Sequence, residues 1–200
     1  MRLVLASSSP RRAAVLAAAG FEFEVAAAGV DESRREGEPA EEYVRRVAEA
    51  KARAVADRVE PPAIVIGADT VVDLRGGILG KPLSAEDAAR MLRMLSGQTH
   101  QVLTALVGVR TPDGVTRVEE ERTTVTFAPL TEAEIAAYVE SGEPLDKAGA
   151  YAIQGLGGRF VTRVEGCYFN VVGLPLARLY RMLKEMGWSE RAAKHQTGRP

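Results

Sequence analysis

The 200-residue sequence is poor in cysteine and histidine: Cys167 is the single cysteine, and His100 and His195 are the two histidines. One cysteine closes no intrachain disulfide, which suits a reducing compartment and predicts a cytoplasmic location. Nor does this set build a Cys/His zinc site. A bound metal would have to rest on carboxylates, which favours Mg²⁺ or Mn²⁺. Charge of one sign is also missing: 26 Lys and Arg stand against 27 Asp and Glu, for a net charge of -1. No field over the whole surface then draws in polyanions, so long nucleic acid is a poor partner and any anion site must be a local cluster. No apolar run approaches the ~18 residues of a membrane span. The nearest candidate, Ala13–Gly20 after Arg11-Arg12, is short, alanine-heavy and preceded by the strand-like RLVLA. It reads as strand and helix and not as a targeting segment.

What remains is ordinary globular composition, with 46% hydrophobic and 26% charged residues. There is no internal repeat and no linker. We expect one domain with two lobes over 1–188 and a polar tail over 189–200.

The centre of the chain is IVIGADTVVDLRGGILGKP, beginning at Ile64. Ile64–Ile66 reads as a buried strand that Gly67 breaks and Thr70–Val72 resumes. Asp69 then sits at an interruption, where a carboxylate needs a metal, a cation or water. Gly76-Gly77 turns the chain back and puts Lys81 on the returning arm, where a hairpin can bring it to the edge that carries Asp69.

Upstream, Arg2–Ala6 is a strand and Ser9-Pro10 starts a helix that Gly20 ends, with Ser9 as N-cap. A strand running into a helix N-terminus makes an anion site, and Arg11 and Arg12 in its first turn oppose the helix dipole unless an anion completes the arrangement. Phe21–Val25 reads as a short strand, and Glu32 lies in a polar loop. Pro39–Val59 is the strongest helix, and Lys51 falls in its apolar stripe with Val44, Val47 and Val55. That lysine either snorkels to the rim or points into the cleft beside Asp69.

Downstream, Ser84–Leu95 is a helix capped by Ser84 with Asp87. Gln101–Val109 and Val115–Phe127 form an antiparallel hairpin across a Thr111–Gly114 turn, with Glu119–Arg122 exposed or bent. A helix follows from about Thr131 to Ser141. The segment 142–158 is glycine-rich, carries Lys147, Tyr151 and Gln154, and has a flexible tip at Gly155–Gly158. Phe160–Val164 and Tyr168–Val172 read as strands. The last helix runs to about Met186 with Leu176, Leu179, Tyr180 and Leu183 inward.

The distinctive side chains are the cations Arg11, Arg12, Lys51 and Lys81 and the carboxylates Glu32 and Asp69. A nucleoside triphosphate needs such cations together with a hard metal held by carboxylates. The blocks LASSSPRR, VDE, EAKA, GADTVV, GKP, SGQTHQVLTA, KAGAYAIQG and NVVGLP, in this order, resemble the Maf family of nucleotide pyrophosphatases over nearly the whole chain. The resemblance implies an α/β fold: a mixed, twisted sheet flanked by helices, with a deep cleft between two lobes. It implies hydrolysis of a nucleoside triphosphate to the monophosphate and pyrophosphate, and it suggests a homodimer. Residue by residue, Ser9 and Arg12 match the phosphate motif, Glu32, Lys51 and Lys81 other polar site positions, and Asp69 the proton acceptor. Arg11, Thr70 and Gln154 match the positions that separate subfamilies, and they resemble the branch acting on dTTP and UTP. Cys167 departs from the serine expected there, which leaves the site assignment untouched.

The chemistry can also be argued from the residues. Glu32 and Asp69 would hold a divalent metal that polarises water, with Asp69 as final proton acceptor. A raised pKa would help that role, but metal and lysines pull the other way. Ser9, Arg12, Lys51 and Lys81 would bind the triphosphate, and Thr70 and Gln154 can hydrogen-bond a pyrimidine edge. Nucleotide-pool housecleaning would follow. Two other readings stand beside this one. The first is a nucleotide-binding regulator of cell division or septum formation with weak hydrolysis. The second is an interaction protein in which Lys51 and Lys81 serve no nucleotide.

Overall fold

The computed structural model describes residues 1–189. Beyond residue 189, the expected polar tail lies outside the described residues. Six of the strands form one path, β2 (Glu24–Val25), β1 (Arg2–Leu5), β3 (Ala63–Leu74), β5 (Thr99–Thr111), β6 (Thr116–Phe127) and β7 (Val161–Glu165), while β4 (Gly77–Leu79) pairs with β3 alone. β1 runs parallel to β2 and β3, and the other pairings are antiparallel. The sheet is mixed, as expected.

Side-chain alternation divides the helices between its faces. Val71, Leu103, Ala105, Val107 and Val109 face α2 (Ala40–Ala56), which packs on them through Val44, Ala48 and Ala52. Ile64, Ile66, Ala68 and Leu106 point the other way. They meet α1 (Pro10–Ala18) through Val15 and Leu16, and the C-terminal helix Leu176–Glu185 through Leu179, Met182 and Leu183. On that same face, α3 (Ala85–Leu95) and α4 (Glu132–Glu140) close a core on Val72, Val102, Val125 and Phe127. The short helix α5 (Tyr168–Val172) precedes the C-terminal helix, which becomes α6.

Several expectations change. β3 is unbroken through Gly67, which pairs with Val107. The glycine is there because α2 crosses close: a Cβ would run into the Ala48 carbonyl and lie 2.8 Å from the Ala52 nitrogen. What stops is the neighbouring strand. β1 pairs with β3 only as far as Leu5↔Ile66, and β4 begins at Leu79↔Val72, so Gly67–Val71 has β5 on one side and a gap on the other. The strand expected at Phe21–Val25 pairs only through Glu24 and Val25.

Tyr168–Val172 is helix and not strand. Its aromatic and β-branched residues favour strand, but the Asn170 amide donates to the Val102 carbonyl and to Thr123 Oγ1, both at 3.0 Å, and tertiary contact decides. Tyr180 is 40% exposed, and Met182 takes the inner place expected for it.

The Glu119–Arg122 run does not bend; its pairing with β5 continues without a shift. Alternation sends Glu119 to Arg178 and Arg181 of α6, at 3.2 and 2.9 Å, and Glu120 to Arg45 of α2 at 2.6 Å. The run therefore ties one helix to each face. Residues 155–158 are pinned and not a free tip. The Glu143 carboxylate accepts from Leu156 N at 2.9 Å, Gly157 N at 3.0 Å and the Tyr138 hydroxyl at 2.8 Å.

Candidate active site

The gap beside Gly67–Val71 opens into a cleft of about 700 Å³. Side chains from both faces of the sheet reach it, because no strand closes that edge. Alternation on β3 aims Asp69 at the face covered by α2 and Thr70 at the face covered by α1. All nine residues singled out in the sequence line this one cleft: Ser9, Arg11, Arg12, Glu32, Lys51, Asp69, Thr70, Lys81 and Gln154.

On the α2 side, Lys51 points inward from the apolar stripe and does not snorkel. Its ammonium lies 2.8 Å from Asp69 Oδ1 and 2.9 Å from Glu32 Oε1. The ammonium donates a hydrogen bond to Asp69 and is ion-paired with Glu32. Asp69 is 6% exposed, and burial raises its pKa despite the opposing pull of Lys51 and Arg12. Against the expectation from nearby charge alone, desolvation wins. Glu32 is exposed, but its loop is held to α2: the Tyr43 hydroxyl donates to the Glu32 carbonyl at 2.8 Å, and Arg46 donates to the Ser33 carbonyl at 2.9 Å.

On the α1 side, the chain leaves β1 and turns at Ser7–Ser9 into the helix. Ser9 occupies the N-cap position, but its side chain makes no capping bond, so the hydroxyl is free to meet a ligand. Ser7 takes over local support and accepts from Ser9 N at 3.2 Å. Arg12 is 8% exposed and held at three atoms. Nε donates to the Gly173 carbonyl at 2.8 Å, Nη1 to Ser7 Oγ at 3.2 Å and Nη2 to Thr70 Oγ1 at 3.0 Å. Burial lowers its pKa while Asp69 supports the charge. Thr70 is thus engaged with Arg12 and, at 2.9 Å, with Thr104.

Arg11 reaches across the cleft mouth to Asp146 at 3.5 Å, and Lys147 pairs with the same carboxylate. Lys81 and Gln154 are exposed on the wall. The lining holds five cations (Arg11, Arg12, Lys51, Lys81 and Lys147) against three carboxylates (Glu32, Asp69 and Asp146). The positive excess suits an anionic ligand bearing several charges.

Asp69 and Glu32 converge on the Lys51 ammonium, and each keeps one oxygen without a hydrogen-bond partner among the described residues. Two hard oxygen donors in a cleft rich in cations fit Mg²⁺ or Mn²⁺. Sequence reasoning missed Ser7, Tyr43, Thr104 and Asp146. The first three act through contacts between segments distant in the chain or through local support, which no spacing reveals.

The chain is similar to known proteins over nearly its whole length. The family model described as "Maf-like protein" matches residues 2–186. A dTTP/UTP pyrophosphatase of Geobacillus sp. (strain WCH70) is 52% identical over 187 residues, covering 94% of this chain and 99% of that protein. One of Anaeromyxobacter sp. (strain Fw109-5) is 55% identical over 189 residues, covering 93% and 90%. The solved structure of the Staphylococcus aureus Ham1 protein shares the fold, with a TM-score of 0.52 at 18% identity, over 93% of this chain and 100% of that one. With the profile matched over residues 2–186 and half the residues shared with full-length relatives, this chain belongs to the Maf family.

Proposed function

We propose that this protein hydrolyses nucleoside triphosphates, dTTP and UTP foremost, to the monophosphate and pyrophosphate. Relatives at 50–55% identity carry the name dTTP/UTP pyrophosphatase. The observation that carries the reading is the buried Asp69 carboxylate, held by Lys51 beside the N-terminus of α1 and Arg12 in one cleft. A binding site alone needs the cations. A desolvated carboxylate with raised proton affinity adds a group that can take a proton.

The chain's own residues divide the work. The Ser9 hydroxyl, the first turn of α1, Arg12 and Lys81 bind phosphate oxygens, and the Lys51 ammonium adds its charge to them. Water attacks the α-phosphorus, the bond to the bridging oxygen of the β-phosphate breaks, and pyrophosphate leaves. Asp69 receives the water's proton as its final acceptor. Arg12 and Lys81 meet the charge that grows on the leaving pyrophosphate. Glu32 and Asp69 would hold a divalent ion, which when bound supplies Lewis-acid polarisation of phosphoryl oxygens and water. Gln154 and Arg11 at the mouth read the base, while Thr70, already accepting from Arg12, offers a ligand only its remaining lone pair. Removal of surplus or damaged triphosphates in the cytoplasm fits such an activity.

The test is pyrophosphate release from a panel of nucleoside triphosphates with Mg²⁺ or Mn²⁺. Asp69→Asn should lower kcat by on the order of 10²–10⁴. Turnover near wild type in that variant removes Asp69 from the mechanism. Tight triphosphate binding by the wild type with no turnover favours the regulator instead.

A further inference from the structure

We propose that Thr104, which lies outside the cleft wall, is a positioning residue for Arg12 that acts through Thr70. The inference rests on the reading that Arg12 binds the triphosphate. Thr104 is fully buried on β5, directly opposite Thr70 of β3 and on the same face of the sheet. Its neighbours on that face, Val102 and Leu106, are apolar. A hydroxyl buried among them is unfavourable unless it is partnered.

Its partners form a directed chain. A guanidinium only donates, so the 3.0 Å contact from Arg12 Nη2 makes Thr70 Oγ1 the acceptor. Thr104 Oγ1 donates to the Asn170 carbonyl, at a long 3.5 Å, because a carbonyl only accepts. The 2.9 Å contact between the two hydroxyls therefore runs from Thr70 to Thr104. Three hydrogen bonds point the same way, from the cleft cation to a carbonyl on α5. With its hydrogen committed to Thr104, Thr70 meets Arg12 with a lone pair.

The same carbonyl organises a second anchor of Arg12. Gly173 N donates to Asn170 O at 2.9 Å and closes the turn that presents the Gly173 carbonyl to Arg12 Nε. The turn needs the left-handed φ of +114° that Gly173 adopts. Asn170 is itself fixed through its side-chain amide to β5 and β6. Two of the three anchors of Arg12 thus converge on one buried carbonyl. Removing the Thr104 hydroxyl frees the Thr70 hydrogen to turn toward the guanidinium or toward a phosphate, and Arg12 loses a fixed direction.

The experiment compares wild type, Thr104→Val, Thr104→Ser, Arg12→Lys and the Arg12→Lys/Thr104→Val double variant. It measures pyrophosphate release, and binding of inorganic triphosphate by calorimetry. We expect Thr104→Val to raise KM and weaken inorganic triphosphate by on the order of tenfold. We expect kcat to fall as well, because Arg12 also meets the charge that grows on the leaving pyrophosphate. Thr104→Ser should restore wild-type values. In the Arg12→Lys background Thr104→Val should add nothing, because the bond to Thr70 is already gone. If Thr104→Val does not fold, Thr104→Ala carries the same comparison. Unchanged KM and triphosphate affinity in the folded variant, or effects of the two substitutions that simply multiply, would overturn the proposal. A wild type that releases no pyrophosphate would sink the hydrolytic reading by itself, while the calorimetry would still decide whether Thr104 acts through Arg12.

Discussion

At the scale of the residue, burial outweighs the partners of the deeply placed groups Arg12, Asp69 and His100. His100 is the sharpest case outside the cleft. It is 2% exposed, its Nε2 lies 2.9 Å from the Tyr151 hydroxyl, and Phe127 packs edge-on against its ring. Its Nδ1 has no partner among the described residues. Burial pulls the imidazole from 6.5 down to about 4. As pH falls below 6.5 the unfolded chain takes a proton that the folded chain resists, so stability is full above that value and declines toward pH 4. Between pH 7 and pH 5 the loss should be about 2 kcal/mol by urea denaturation. His100→Gln, which keeps a polar partner for Tyr151 without titrating, should flatten that slope; an unchanged slope would assign the loss to other groups. In the cleft, Lys51 and Asp69 were legible because a charge stood in an otherwise apolar pattern. Thr104 and Asn170 were not, since a buried threonine or asparagine looks like any other until its partners are known.

At the scale of the element, one strand and one helix make the site. β3 supplies Asp69 to one face and Thr70 to the other, and α2 delivers Lys51 because Gly67 lets it come close. Gly67→Ala should push α2 away from β3, destabilise the fold by about 1–3 kcal/mol and raise KM for the triphosphate through displaced Lys51. A melting temperature and KM equal to wild type would show that α2 can shift without consequence. The glycine was visible in the sequence, but its meaning was not. A break in a strand and a close helix crossing leave the same letter, and only the position of α2 separates them. The hairpin of β5 and β6 and the capped helices α3 and α4 were legible for the opposite reason. Turn residues, caps and periodicity act within a few positions of one another; Thr131 and Glu134 form their capping box over a single turn. α5 was misread because its local preference for strand yields to the Asn170 contacts.

At the scale of the whole molecule, the cleft exists because the sheet is incomplete along one edge of β3. β3 and β5 run past both the core built on α1 and α6 and the core built on α3 and α4. Neither core has a sheet of its own, so the two cores should unfold together. Calorimetry should show one transition whose van't Hoff and calorimetric enthalpies agree; two separated transitions would mean that each side folds independently. By itself, the order of residues determined the long helices, the long hairpin and most of the charged side chains gathered in the cleft, though not Asp146. These follow from short-range periodicity and from the energetic oddity of charge in apolar surroundings. The tertiary structure alone decided that β1 stops short of β4 and leaves an edge open. It also decided that Lys51 meets two carboxylates, and that Arg12 is aimed by hydroxyls and carbonyls drawn from across the chain. Those outcomes depend on where separate segments come to rest against one another, and hydrogen bonds between distant segments leave no spacing to read.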